Sequence, residues 1–157
     1  MLKIPSKISV ILSMVLSVIL FAGCIYLAFI LPNEVNLFIS FPDHMGNRDE
    51  ITEGGRLLLL IAAYVALGVV MAADALLFAL LLRVRKGQVF TPVSVALIRG
   101  VSWCCYLLSL SACIAAIYFR YAFAVVFLAA FLGLCLRVVK NVIEEATLIK
   151  NENDLTV

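Results

Sequence analysis

Apolar positions fall into four long runs with almost no polar interruption. The first covers residues 8–31 and carries no charged side chain. The second covers 57–82 and is broken only by Asp74. The third, 100–119, has no charge at all. The fourth, 122–136, is short, but Arg137 and Lys140 can snorkel and lengthen it. A helix needs about 20 apolar residues to cross a hydrocarbon core of about 30 Å. The pattern therefore predicts an all-α integral membrane protein, a four-helix bundle running up, down, up, down. Runs of this length are too long for the buried core helices of a water-soluble fold. The whole chain, 1–157, reads as one membrane domain, with loops at 32–56 and 83–99 and a hairpin at Arg120 and Tyr121.

Local signals refine these elements. Thr91 can cap a helix whose first residue is Pro92, with Phe90 and Val95 placed as a hydrophobic staple. Gly87 permits the turn out of the second helix. Trp103 falls near the head-group level, where Trp is favoured. Beyond Arg137, Val139, Val142, Ile143, Ala146 and Ile149 recur at helical spacing between charged residues. This predicts a cytosolic helical tail over 137–150 with an apolar stripe, ended by Asn151, Glu152, Asn153 and Asp154.

Charge sets the orientation. Lys and Arg gather on the cytoplasmic side of membrane spans. With both termini inside, nine of the twelve basic residues lie inside: Lys3, Lys7, Arg83, Arg85, Lys86, Arg99, Arg137, Lys140 and Lys150. Five of the ten acids (Glu34, Asp43, Asp49, Glu50 and Glu53) fall outside, in the first loop. The predicted topology is N-in, C-in. Composition agrees: hydrophobic residues make up 65% and charged ones 14%, against about 45–50% and 25% in soluble domains. Mean hydropathy is +1.15. A net charge of +2 gives no reason to expect direct nucleic-acid binding, and anionic lipid accounts for the inner basic cluster.

Candidate chemistry is sparse. The five cysteines (Cys24, Cys104, Cys105, Cys113 and Cys135) all lie in predicted spans, without metal-ligand spacing, and read as packing residues. Phe21-Ala22-Gly23-Cys24 resembles a lipoprotein processing box. The apolar run continues past Cys24 to Leu31, as a span requires, and lipidation of Cys24 stays open. His44 is the only histidine, and no metal site or cofactor is expected. There is no nucleophile–base pair, phosphate-cradling glycine loop or acid pair, so no catalytic residue is named and no enzyme is expected.

Small residues mark helix-contact faces: Ser6, Ser9, Ser13 and Ser17; Gly68, Ala72, Ala75 and Ala79; Ser102, Cys105, Ser109, Cys113 and Ala116; Ala129 and Gly133. Asp74 is the one ionisable residue deep in a span, and such residues are functional candidates by default. Its depth matches Ser17 on the first span and Ser109 on the third. A neutral Asp74 hydrogen-bonded to one of these is the plain structural expectation. A titrating or ion-coupled role is the functional one.

Residues 88–99, Gln-Val-Phe-Thr-Pro-Val-Ser-Val-Ala-Leu-Ile-Arg, and the ending Glu-Asn-Asp-Leu-Thr-Val157 resemble a family of small bacterial membrane proteins, domain-of-unknown-function family twenty-nine seventy-five. The resemblance covers nearly the whole chain in length and span order. It implies four spans in the bacterial cytoplasmic membrane and no established activity. Its members are often encoded beside a small helix-turn-helix regulator, which implies a cytosolic DNA-binding partner. It supplies no site residues, and Asp74 lies outside its motif. The expected surface for that partner is Phe90, Thr91, Glu145, Asn151, Glu152, Asn153, Asp154 and Leu155. The expected function is that of a regulatory or sensory accessory protein. The alternative is a small transporter, a channel, or a membrane-stress or immunity protein using Asp74. A homo-oligomer stays open.

Overall fold

The computed structural model describes the backbone of residues 6–40, 53–118 and 121–155, and the side chains of 8–37, 53–118 and 121–150. Four helices account for nearly all of it: α1 (Ser6–Ser40), α2 (Glu53–Arg85), α3 (Pro92–Tyr118) and α4 (Ala122–Leu155). All four are long and apolar enough to cross a membrane. Large apolar side chains cover the outside, among them Leu12, Phe29, Leu110, Ile117, Phe127 and Phe131. In water such a surface would drive aggregation. In a bilayer it is the lipid-facing surface.

Two helix ends follow from local chemistry. At the end of α2, Gly87 adopts φ of +73°. Its N–H bonds the Val84 carbonyl at 3.0 Å, and the Gln88 N–H reaches back to the Arg83 carbonyl at 3.0 Å. This is the paired pattern of a Schellman cap. At the start of α3, the Ser94 N–H donates to Thr91 Oγ1 at 3.3 Å, the N-cap bond expected of Thr91. Ser94 is fully buried, and its hydroxyl donates to the Gln88 carbonyl at 3.0 Å. Val95 is buried beneath this turn, while Phe90 stays half-exposed.

The helices pack in chain order: α1 on α2, α2 on α3, α3 on α4. Among the described residues α1 and α4 do not pack on each other. Neighbours are antiparallel, since Ser17 pairs with Asp74 while Ala28 pairs with Tyr64, and Ser102 pairs with Gly133 while Ser109 pairs with Val126. α3 is the most buried span, at 22% against 6–11% for the others.

Lipid tails are as apolar as Leu, so packing and interhelical hydrogen bonds, not hydrophobic burial, hold such helices together. At the α3–α4 seam, Ser102 Oγ donates to the Gly133 carbonyl and Ser109 Oγ to that of Val126, both at 3.0 Å. Gly133 lets the backbones close: a Cβ there would meet the Tyr106 ring at 3.1 Å and Cys105 Cβ at 3.3 Å. The α2–α3 seam depends on the short turn and on close approach of Leu76 to Gly100.

Several expectations need correction. The predicted loop 32–56 is helical at both ends, because α1 runs through Pro32 to Ser40 and α2 starts at Glu53. α4 continues through Asn151, Glu152, Asn153 and Asp154 to Leu155 instead of ending there. Of the predicted small-residue faces, Ala129 and Gly133 are buried on α4 and Ser102 and Ala116 on α3. Of that stripe on α1, Ser17 is buried and Ser9 and Ser13 are exposed, while the side chain of Ser6 lies outside the described residues. On α2, Gly68, Ala72 and Ala75 are exposed, and Gly55, Leu59 and Ala62 are buried instead. The reason is rotational. At about 100° per residue, Gly68, Ala72 and Ala75 lie roughly 100–160° around the helix from Asp74. Turning Asp74 to its partner on α1 turns that small face to lipid. All five cysteines are free, but Cys113 and Cys135 are exposed and do not serve as packing residues. His44 and Arg120 lie outside the described residues.

Candidate functional site

Two places carry polar chemistry. The first is in mid-membrane. Ser17 Oγ donates to Asp74 Oδ1 at 2.7 Å, joining α1 to α2. Ser17 is buried and Asp74 half-buried. Ser109, the other side chain at this depth, is not brought to Asp74. It faces α4 and donates to the Val126 carbonyl. Among the described residues Asp74 has no basic side chain and no second carboxylate as a partner.

The second place is the end where the α2–α3 turn meets the long extension of α4. The fourth apolar run stops at Leu136, and α4 continues for 19 residues, 137–155, beyond it. The extension docks on the start of α3. Arg99 Nη2 lies 3.6 Å from Glu144 Oε1, and Lys140, one turn earlier on α4, pairs with the other carboxylate oxygen. The Lys140 hydrogen bond, reinforced by the charges of Lys140 and Arg99, holds the Glu144 carboxyl below its ordinary range. Thr147 is buried and donates to the Ile143 carbonyl at 2.7 Å. The docking face is therefore Lys140, Ile143, Glu144 and Thr147. Val139, Val142 and Ile149, expected on one stripe with Ile143 and Ala146, are exposed, as are Val138 and Leu148.

Of the predicted partner surface, Phe90 and Glu145 are exposed, whereas the Thr91 hydroxyl is taken up by the α3 cap. Asn151, Glu152, Asn153, Asp154 and Leu155 continue the helical backbone.

The residue reading missed a cluster where α3 and α4 emerge on this side. The Arg137 guanidinium lies over the Trp103 ring, 5.6 Å from its centre, and 6.0 Å from that of Tyr106. The two rings meet edge to face. Trp103 and Arg137 were each legible as interface residues. Their meeting depends on the α3–α4 register, which no local signal encodes.

At the opposite end, Val35, Leu59, Ala115, Ala122 and Val125, with Glu34 and Tyr121, line an apolar cleft of about 370 Å³. All four helices contribute to it: α1, α2, α3 and the start of α4.

Four membrane-length helices in an antiparallel series define a multi-pass membrane protein. The chain belongs to the family described as protein of unknown function DUF2975, matched over residues 40–157. That range takes in α2, α3 and α4 but only the last residue of α1, so the match is shorter than the expected near-whole-chain resemblance. No curated protein and no solved structure matches the chain.

Proposed function

We propose that this protein is a regulatory or sensory accessory of the bacterial cytoplasmic membrane, without catalytic activity, that holds a cytosolic partner against its inner face. The partner is a soluble DNA-binding regulator of the helix-turn-helix kind. One observation carries the reading. The α4 extension has one side docked on α3 through Glu144 and Thr147, and leaves Val138, Val142 and Ile149 exposed on the opposite side. At about 1.5 Å per residue, the 19 residues past Leu136 reach about 28 Å, well beyond the hydrocarbon core. Val142 and Ile149 lie about 9 and 20 Å past Leu136, and an apolar face there suits a groove on a soluble partner, the helix-in-groove mode of recognition.

A mild-detergent pull-down from the native host, read by mass spectrometry, tests it. The intact chain should retain a soluble DNA-binding protein in stoichiometric amount. Deletion of residues 151–157, or Val142→Asp with Ile149→Asp, should leave membrane insertion intact and remove that protein. Unchanged retention in both variants overturns the proposal. The alternative, a transporter, channel or immunity protein working through Asp74, has the Ser17–Asp74 bond in its favour. Among the described residues it has no second carboxyl or basic side chain as a partner to pass a charge to.

A further inference from the structure

We propose that the Arg137–Trp103–Tyr106 cluster is a binding site for one anionic phospholipid, its phosphodiester held by the edge of the Arg137 guanidinium. The argument starts from depth. The apolar run of α4 spans only 122–136, about 22 Å at 1.5 Å per residue. A hydrocarbon core is about 30 Å thick. Arg137 is therefore drawn to the edge of the hydrocarbon, where an unmatched charge is costly.

The protein matches only one side of that charge. The ring faces of Trp103 and Tyr106 lie within cation–π range of the guanidinium carbon. Rings satisfy a guanidinium face, but they accept none of its five edge N–H bonds. Among the described residues the nearby carboxylate, Glu144, is committed to Lys140 and Arg99. Among the described residues Arg137 pairs with no acid, and it is exposed. A planar fork of donors at head-group depth fits a phosphate bidentately. The patch holds three cations (Arg99, Arg137 and Lys140) and one carboxylate, and that surplus selects a lipid with net negative charge over a zwitterionic one. Trp103 is half-exposed at 54%, so an acyl chain beneath the bound phosphate runs along its ring.

Trp103 is the sole tryptophan and reports its own neighbours. The full chain is reconstituted in phosphatidylcholine vesicles containing a small fraction of lipid with brominated chains, which quench indole on contact. Brominated phosphatidylglycerol should quench Trp103 at a lower mole fraction than brominated phosphatidylcholine. Each basic residue near a membrane surface is worth about fivefold in anionic-lipid affinity, and Arg137→Gln should reduce the preference by about that factor. Arg137→Lys, which keeps the charge and loses the fork, should retain part of it. Arg85→Gln, a basic change outside the cluster, removes the same surface charge without touching Trp103 and should retain more of it than Arg137→Gln does. Equal quenching by the two lipids, or a preference lost equally in Arg85→Gln and Arg137→Gln, overturns the proposal. At constant ionic strength, exchanging chloride for inorganic phosphate should not alter the preference; if it abolishes it, the site takes a soluble anion and the lipid assignment fails. None of these outcomes depends on the cytosolic partner.

Discussion

A carboxyl group in mid-membrane must find a hydrogen-bond partner, and Asp74 finds Ser17 fifty-seven positions earlier in the chain. That bond does more than lower the cost of one polar group. It fixes the rotation of α2, which explains why a stripe of Gly68, Ala72 and Ala75 faces lipid while Leu59 and Ala62 face protein. Side-chain hydrogen bonds between membrane helices contribute about 0.6 kcal/mol on average and at most about 1.7. Ser17→Ala and Asp74→Ala should therefore show a coupling energy of about 0.6–1.7 kcal/mol in a double-mutant cycle of unfolding in mixed micelles. Strict additivity would mean that the bond contributes nothing and that the orientation of α2 has another cause. Depth counting placed Ser17 and Ser109 equally well beside Asp74. Depth gives the level of a residue but not its azimuth, and Ser109 is turned toward α4.

Element boundaries divide by the range of the chemistry that sets them. The end of α2 and the start of α3 were legible, because the bonds of Gly87, Thr91 and Ser94 all close within six residues. The end of α1 was not. Pro32 reads as a stop, since it has no N–H and leaves the carbonyl four residues earlier without a helical donor. Here that carbonyl belongs to Ala28, and the Tyr64 hydroxyl of α2 donates to it at 3.2 Å. A neighbouring helix thus supplies the bond that proline removes, which is how membrane helices tolerate it. Tyr64→Phe should cost about 1 kcal/mol in the native chain. In a Pro32→Ala background the same change should cost close to nothing, because the new N–H at position 32 takes over the Ala28 carbonyl. Unfolding midpoints of the four variants in one detergent test this, and an equal cost of Tyr64→Phe in both backgrounds refutes it.

At the level of the whole molecule, serial packing makes α1 the least committed helix, with α2 as its sole neighbour among the described residues and almost none of it inside the family match. The number of spans was legible from hydropathy alone, because a bilayer demands the same length of every crossing helix. The serial order was not, since every helix here is apolar all round, and lipid and protein neighbours leave the same signature. Orientation is the reverse case. Packing is indifferent to it, and only the charges select N-in, C-in. The α2–α3 turn and the α3–α4 turn lie at opposite ends of the antiparallel series, so single cysteines in a cysteine-free background decide it. A membrane-impermeant maleimide applied to intact cells should label Tyr121→Cys, at a position 78% exposed, and should label Lys86→Cys only after permeabilisation. The opposite pattern would move the Arg83–Lys86 cluster outside and carry Arg137 with it to the outer leaflet. The lipid site would survive that reversal, since phosphates line both surfaces, but the exposed apolar face of the α4 extension would lose its access to any cytosolic partner.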